Sequence, residues 1–280
     1  MTVSSKLAGG AVALCLMGSG FVGCCRFRDA GSAARAEAVG RMEQTLSARP
    51  KSVQARPSRK QTDERLVAKL AEKNARKEFD AIWLGDSITH FWEMGWTGGP
   101  DVFKERFGKY SILNFGFGGD QTQHVLWFIE NAGVLDGVRT KVVNLMVGTN
   151  NMWGDSADEI SAGVLACVKA IRLRQPKAKV VLLSILPREV AHERNERDYR
   201  KNRPEGIRDQ VMAKTAAVNG KIRNLADGKS VFWLDLTARF TDKEGLPDLS
   251  LLCDGTHPNA AGYRVIADEI LGIYGQVFAE

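Results

Sequence analysis

The sequence predicts a three-layer α/β domain, a five-stranded parallel sheet covered by helices on both faces. Two observations carry this. Five short apolar runs recur along the chain: DAIWLG (80–85), YSILNFG (110–116), KVVNLMVG (141–148), KVVLLSIL (179–186) and VFWLDL (231–236). Helical patterns alternate with them, and apolar strands alternating with helices form a parallel sheet buried on both faces. With 280 residues, 44% hydrophobic and 26% charged, the chain can bury a substantial core without disulfides. Its cysteines (Cys15, Cys24, Cys25, Cys167 and Cys253) show neither zinc-ligand spacing nor a disulfide framework.

Taken in order, residues 1–24 read as a secretory signal: one lysine, Lys6, then a glycine-interrupted apolar stretch without charge until Arg26. Phe21-Val22-Gly23-Cys24 resembles a bacterial lipobox, which makes Cys24 a candidate for lipidation and predicts a membrane-anchored lipoprotein outside the cytoplasm. Residues 25–61 hold nine basic residues against three acids up to Lys60 and read as a solvated basic tether. The formal charge of +6 resides there, so the body from 62 to 280 is close to neutral. A nucleic-acid binder needs a basic face on its folded domain, and none is expected here.

Within the body, TDERLVAKLAEKNARKEF reads as an amphipathic helix ahead of the first strand. QTQHVLWFIENAG follows the second strand and SADEISAGVLACVKAIRL the third. GIRDQVMAKTAAVNGKIRNLA follows the fourth, and NAAGYRVIADEILGIYGQVF closes the chain. PREVAHERNERDYRKNRPEG (187–206) is an unusually long charged connection, either a lid or substrate-contacting loop through Arg188, Tyr199 or Arg200, or a solvated insertion.

Sites in open parallel sheets lie beyond the carboxyl ends of the strands. Those ends carry Gly85-Asp86-Ser87, then Gly116-Phe117-Gly118-Gly119-Asp120, then Gly148-Thr149-Asn150-Asn151, and last Asp254-Gly255-Thr256-His257. A serine hydroxyl needs a base, and the base needs an orienting acid. His257 is the candidate base and Asp254, three residues before it, the orienting acid. An oxyanion needs placed donors, which the N–H groups of Ser87 and Gly119 and the side-chain amide of Asn150 can supply. A dinucleotide loop is excluded at 116–121, because Gln121 stands where the third glycine belongs. Asp86, His90, Trp92 and Trp153 flank these turns as candidate substrate contacts. His124 and Cys253 read as packing residues.

GDSIT (85–89), GFGGD (116–120), GTNN (148–151) and DGTHPN (254–259) resemble the four blocks of the SGNH (GDSL-type) hydrolases. The stretch NFGFGGDQTQHVLWFIENAGVL is similar to the platelet-activating-factor acetylhydrolase catalytic-subunit branch, a look shared by bacterial sugar-ester deacetylases. The resemblance implies a flavodoxin-like strand order and assigns Ser87, Asp254 and His257 to a triad and Gly119 and Asn150 to the oxyanion hole. It implies a serine carboxylester hydrolase that works by an acyl-enzyme, with no metal and no cofactor. Three positions depart from the pattern: Ile88 for the usual Leu, Asn151 where many members have Asp, and Phe128 in place of an arginine of the acetylhydrolase branch. The expected substrate is a short acyl ester, acetate, on a carbohydrate. The alternatives are a lipid esterase or lysophospholipase, and a surface lipoprotein that binds glycans without turnover.

Overall fold

The computed structural model describes residues 31–58, 64–189 and 206–279. At its centre β1 (Glu78–Gly85), β2 (Ile112–Gly116), β3 (Arg139–Met146), β4 (Lys179–Leu183) and β5 (Val231–Leu234) pair in parallel. Their order is β2-β1-β3-β4-β5, the flavodoxin-like order, in which the connections reverse direction between β1 and β3. Side chains alternate across the sheet as the strand repeat dictates. Ile82, Leu84, Val143, Leu145, Val180 and Leu182 face one core, while Ala81, Trp83, Val142, Val181 and Leu183 face the other.

The first core is covered by α1 (31–47), α2 (Glu64–Arg76), α5 (Thr122–Glu130), α6 (Ala157–Arg174) and α7 (Ile207–Ile222). The second is covered by α4 (Gly99–Phe107) and α8 (Ala260–Val277), with the single turn α3 (Ser87–His90) at the end of β1. None of the described helices is long and apolar enough to cross a membrane. Helix α2 stops at Arg76 because Lys77 takes a left-handed backbone (φ 59°); Glu78 and Phe79, expected in the helix, begin β1 instead. Helix α4, opened by Pro100 in its first turn, has no periodic signature in the sequence, since Val102, Phe103 and Phe107 are too sparse to show a helical period.

The expectation of a flexible tether over 25–61 is corrected for residues 31–58. Ala33, Ala34, Ala36 and Ala38 are strong helix formers, and Val39, Met42 and Leu46 recur at helical spacing. Met42 is buried, with Val39 and Leu46 packed against the first core. Ser52 and Val53 follow in a buried turn. The signal segment and Cys24 lie outside the described residues.

In the second core Trp83 is ringed edge-on by Trp92, Phe103 and Phe107 at 5.4, 5.5 and 5.1 Å. Its indole N–H donates to Tyr274 Oη at 2.9 Å, and that hydroxyl donates to Asn144 Oδ1 at 3.3 Å. Tyr274→Phe leaves the buried indole without its acceptor and is expected to cost about 1–3 kcal/mol, read as a lower denaturant midpoint at unchanged slope. An unchanged midpoint would show that the indole finds another partner.

Candidate active site

Strand β1 ends at Gly85, and the chain turns at once into α3. A side chain at Gly85 would come within 2.2 Å of Thr89 Oγ1 and 2.5 Å of the Met146 carbonyl; one at Gly116 would come within 2.3 Å of His90 N. Two bare strand ends therefore let α3 rest on the sheet. Asp86 caps it, its Oδ1 accepting from Ile88 N–H at 3.0 Å. Ser87, buried except for its edge, then presents Oγ at the carboxyl end of the sheet.

His257 Nε2 lies 2.9 Å from Ser87 Oγ, and its Nδ1 lies 2.8 Å from Asp254 Oδ2. The other carboxylate oxygen accepts from Thr256 N–H (3.0 Å) and His257 N–H (2.9 Å). With Nδ1–H donating to Asp254, Nε2 keeps the lone pair that accepts the serine proton. The His257 ring is seated by Phe91 and Trp96, at centroid distances of 4.7 and 6.1 Å.

Gly119 is exposed on the next loop with φ 82°. Nothing would crowd a side chain there, so the left-handed backbone is what asks for glycine. Asn150 Nδ2 donates to the Asp120 carbonyl at 2.8 Å, and the Asn150 carbonyl accepts from Gln121 Nε2 at 2.8 Å. An amide has two hydrogens, so Asn150 retains one for a second acceptor. Asn151, fully buried, accepts from Thr122 N–H and donates to Asp155 Oδ2. It locks the second loop to the third, a role that follows from the Asn side chain's paired donor and acceptor.

The candidate substrate contacts separate. Trp153 is 37% exposed on the rim, where the Arg188 guanidinium lies over its ring at 5.3 Å. Trp92 is corrected: only 3% exposed, it packs on Tyr263 at 4.2 Å inside the second core. Asp86 is corrected too, being a buried cap with no face toward solvent. His90 Nδ1 accepts from Gly118 N–H at 3.3 Å and so braces the second loop. Arg188 is buried and donates to Thr149 Oγ1, while Tyr199 and Arg200 lie outside the described residues. Cys253, expected buried, is exposed, its thiol on the Pro258 carbonyl at 3.4 Å. His124 closes a capping box by accepting from Gln121 N–H. Burial, then the charges of Arg56 and Lys51, lower its pKa to about 4, so its 3.6 Å approach to Asp120 is not an ion pair. Two further residues support the site: Tyr263, whose hydroxyl donates to the Ile88 carbonyl at 2.9 Å, and Asp120, whose carbonyl accepts from Asn150 Nδ2. Among the described residues no group of three or more His, Cys, Asp or Glu side chains is placed to hold a metal ion.

The model of the GDSL-like lipase/acylhydrolase family matches residues 83–265. The chain belongs to that family. It is a carboxylic ester hydrolase with an SGNH fold. It is 31% identical over 205 residues to platelet-activating factor acetylhydrolase IB subunit alpha2 of Rattus norvegicus, covering 73% of this chain and 80% of that one. To subunit alpha1 of Bos taurus it is 34% identical over 191 residues, 68% and 72% of the two chains. A GDSL-like lipase structure from Bacteroides thetaiotaomicron aligns at TM-score 0.57 with 20% identity, over 75% of this chain and 97% of that one, a likeness of fold. Phe128, where an arginine was expected from the acetylhydrolase branch, is buried and stacks on Phe117 at 4.7 Å; this family member spends that position on its core.

The two carboxylates beside Ser87 are driven in opposite directions. Burial raises Asp254, but hydrogen bonds from the His257 ring and from the His257 and Thr256 N–H groups outweigh it and hold the carboxyl well below the usual range. Its contribution to stability is therefore present above about pH 4 and lost as pH falls below that. Asp254→Asn is expected to lower kcat by about 10²–10⁴-fold and to make acid unfolding less steep, measured by esterase kinetics and by melts from pH 2 to 7. Full activity in this variant would remove Asp254 from the site. Asp86 moves up to about 6 because burial dominates over its bond from Ile88 N–H and the charges of His257 and Arg188. A raised pKa stabilises the fold below about 4, and that contribution disappears as pH rises through about 6. Asp86→Asn, whose amide oxygen can still accept from Ile88 N–H, is expected to flatten the stability profile between pH 4 and 7. An unaltered profile would mean that Asp86 does not titrate in this window.

Proposed function

We propose that this enzyme releases short acyl groups, acetate above all, from esterified carbohydrates by a serine acyl-enzyme mechanism. The observation that carries the mechanism is the unbroken Ser87–His257–Asp254 chain at 2.9 and 2.8 Å. Ser87 Oγ attacks the ester carbonyl as His257 Nε2 takes its proton, and Asp254 stabilises the imidazolium. The carbonyl oxygen, now an anion, is held by Ser87 N–H, Gly119 N–H and the free hydrogen of the Asn150 amide, each such donor worth about 2.7–4 kcal/mol in the transition state. His257 returns the proton to the leaving alkoxide, then activates water to release the acid. Because α3 is a single turn, its N–H groups act as local donors and not through a helix dipole.

Acetate is favoured by the curated relatives, which are acetylhydrolases by name. Carbohydrate is favoured by the exposed rings at the rim, Trp96 at 54% and Trp153 at 37%, since flat aromatic faces suit sugar rings. The same relatives favour acetylated phospholipid as a second reading, which Phe128 weakens by placing a core ring where that branch has charge. The address assigned to residues 1–24, with lipidation at Cys24, is part of this proposal and places the enzyme outside the cytoplasm.

Acetate release from acetylated glycans, an acetylated phospholipid and p-nitrophenyl acetate tests the reading. Glycan turnover is expected to lead, and Ser87→Ala to lose at least about 10³-fold in kcat with its fold intact. Preference for the phospholipid would select the second reading; equal activity in Ser87→Ala would end the nucleophile assignment.

A further inference from the structure

The segment over 50–58 makes four hydrogen bonds, to α6, to the first turn of α5 and to the loop that carries Gly119. Ser52 Oγ donates to the Glu159 carbonyl at 2.7 Å, and the Ser52 carbonyl accepts from Thr122 Oγ1 at 2.8 Å. Arg56 N–H donates to the Gln123 carbonyl at 3.3 Å. Ser58 Oγ donates to Asp120 Oδ1 at 2.7 Å, with both side chains buried.

The last contact reaches furthest. Asp120 follows Gly119 directly, and its carbonyl is the acceptor for Asn150 Nδ2. Its N–H is also fixed, donating to the Phe117 carbonyl at 3.2 Å. A residue pinned at its N–H, its side chain and its carbonyl has no freedom to rotate its peptide planes. The Asp120 carbonyl sets which way the Asn150 amide turns, so the direction of the remaining amide hydrogen depends on it. A hydroxyl bonded at 2.7 Å to a buried carboxyl lies in a low local dielectric, which makes the bond firm enough to set such a geometry. The segment also flanks the Gly119 loop: Arg56 and Ser58 line one side of a cleft of about 520 Å³ whose other side includes Gly119, Gln121 and His124.

We propose that Ser58 is a positioning residue for the oxyanion site, acting through the Asp120 carboxylate to fix the Asp120–Gln121 peptide, whose carbonyl orients the Asn150 amide. The segment ahead of the family domain is then part of the catalytic machinery and not a passive spacer. This rests on the assignment of Gly119 and Asn150 as oxyanion donors.

The full chain carrying Ser58→Ala, Asn150→Ala or both is assayed on p-nitrophenyl acetate, with folding checked by near-ultraviolet circular dichroism at the assay temperature. Ser58→Ala is expected to fold and to lose about tenfold in kcat with KM within about twofold, the mark of an interaction made in the transition state. Asn150→Ala is expected to lose about 10²-fold, and adding Ser58→Ala to it to cost less than about twofold more, because the group being oriented is gone. Unchanged kcat in Ser58→Ala, unfolding of that variant, or a full tenfold loss on top of Asn150→Ala would each overturn the proposal. Full activity in Asn150→Ala alone would instead remove the oxyanion assignment beneath it, leaving the triad to be judged by Ser87→Ala.

Discussion

Gly85 and Gly116 face one another as register partners at the ends of β1 and β2, and the site depends on their having no side chains. A Cβ on either would enter Thr89 or His90, so α3 can sit on the sheet only over this bare pair. Asn114 then fixes α3 from the side, donating to the Thr89 carbonyl and accepting from Gly116 N–H, both at 2.8 Å. Phe117 N–H reaches back to the Gly85 carbonyl, so the turn that holds Ser87 and the loop that holds Gly119 share one support. The nucleophile's position is thus a property of the sheet edge, which cannot drift without unpairing two strands.

Around that end of the sheet the electrostatics divide labour between two carboxylates, one directly before the nucleophile and one three positions before the base. Asp86 and Asp254 are both partly or wholly removed from water, yet only Asp254 has enough donors to stay charged easily: a histidine ring and two backbone N–H groups. Asp86 has one side-chain bond, from Ile88 N–H, and full burial. The count of donors separates a carboxylate suited to hold an imidazolium from one suited to cap a turn.

The same contrast explains what was legible in the sequence. Strands were legible because a strand buried on both faces must be continuously apolar, and the triad because Ser87 opens α3 while Asp254 and His257 lie three residues apart in the loop that leads into α8. Over 31–58 charge hides the period: Arg41 is exposed and Arg35 reaches across to the Asn224 carbonyl, while Val39, Met42 and Leu46 form the inner stripe. Trp92 was misplaced for a related reason. It sits in a tight 3₁₀ turn after α3, where neither a 3.6 nor a 2.0 period says which way a ring faces. Asp120 and Tyr263 could not be found from spacing at all, because their roles lie in contacts 62 and 175 residues away in sequence.

Helix α8 carries the last constraint. Asn259 caps it, accepting from Ala261 and Gly262 N–H, and His257 lies two residues before that cap. Tyr263 and Tyr274 are eleven positions apart, about three turns at 3.6 residues per turn, and so lie on one face. Tyr263 grips the Ile88 carbonyl beside the nucleophile; Tyr274 accepts from Trp83 on β1. Two bonds from one rigid helix to one strand and its turn leave the helix neither slide nor roll. The loop that enters the helix is therefore held against Ser87, and the 2.9 Å contact between base and nucleophile is set by groups that touch neither substrate nor triad.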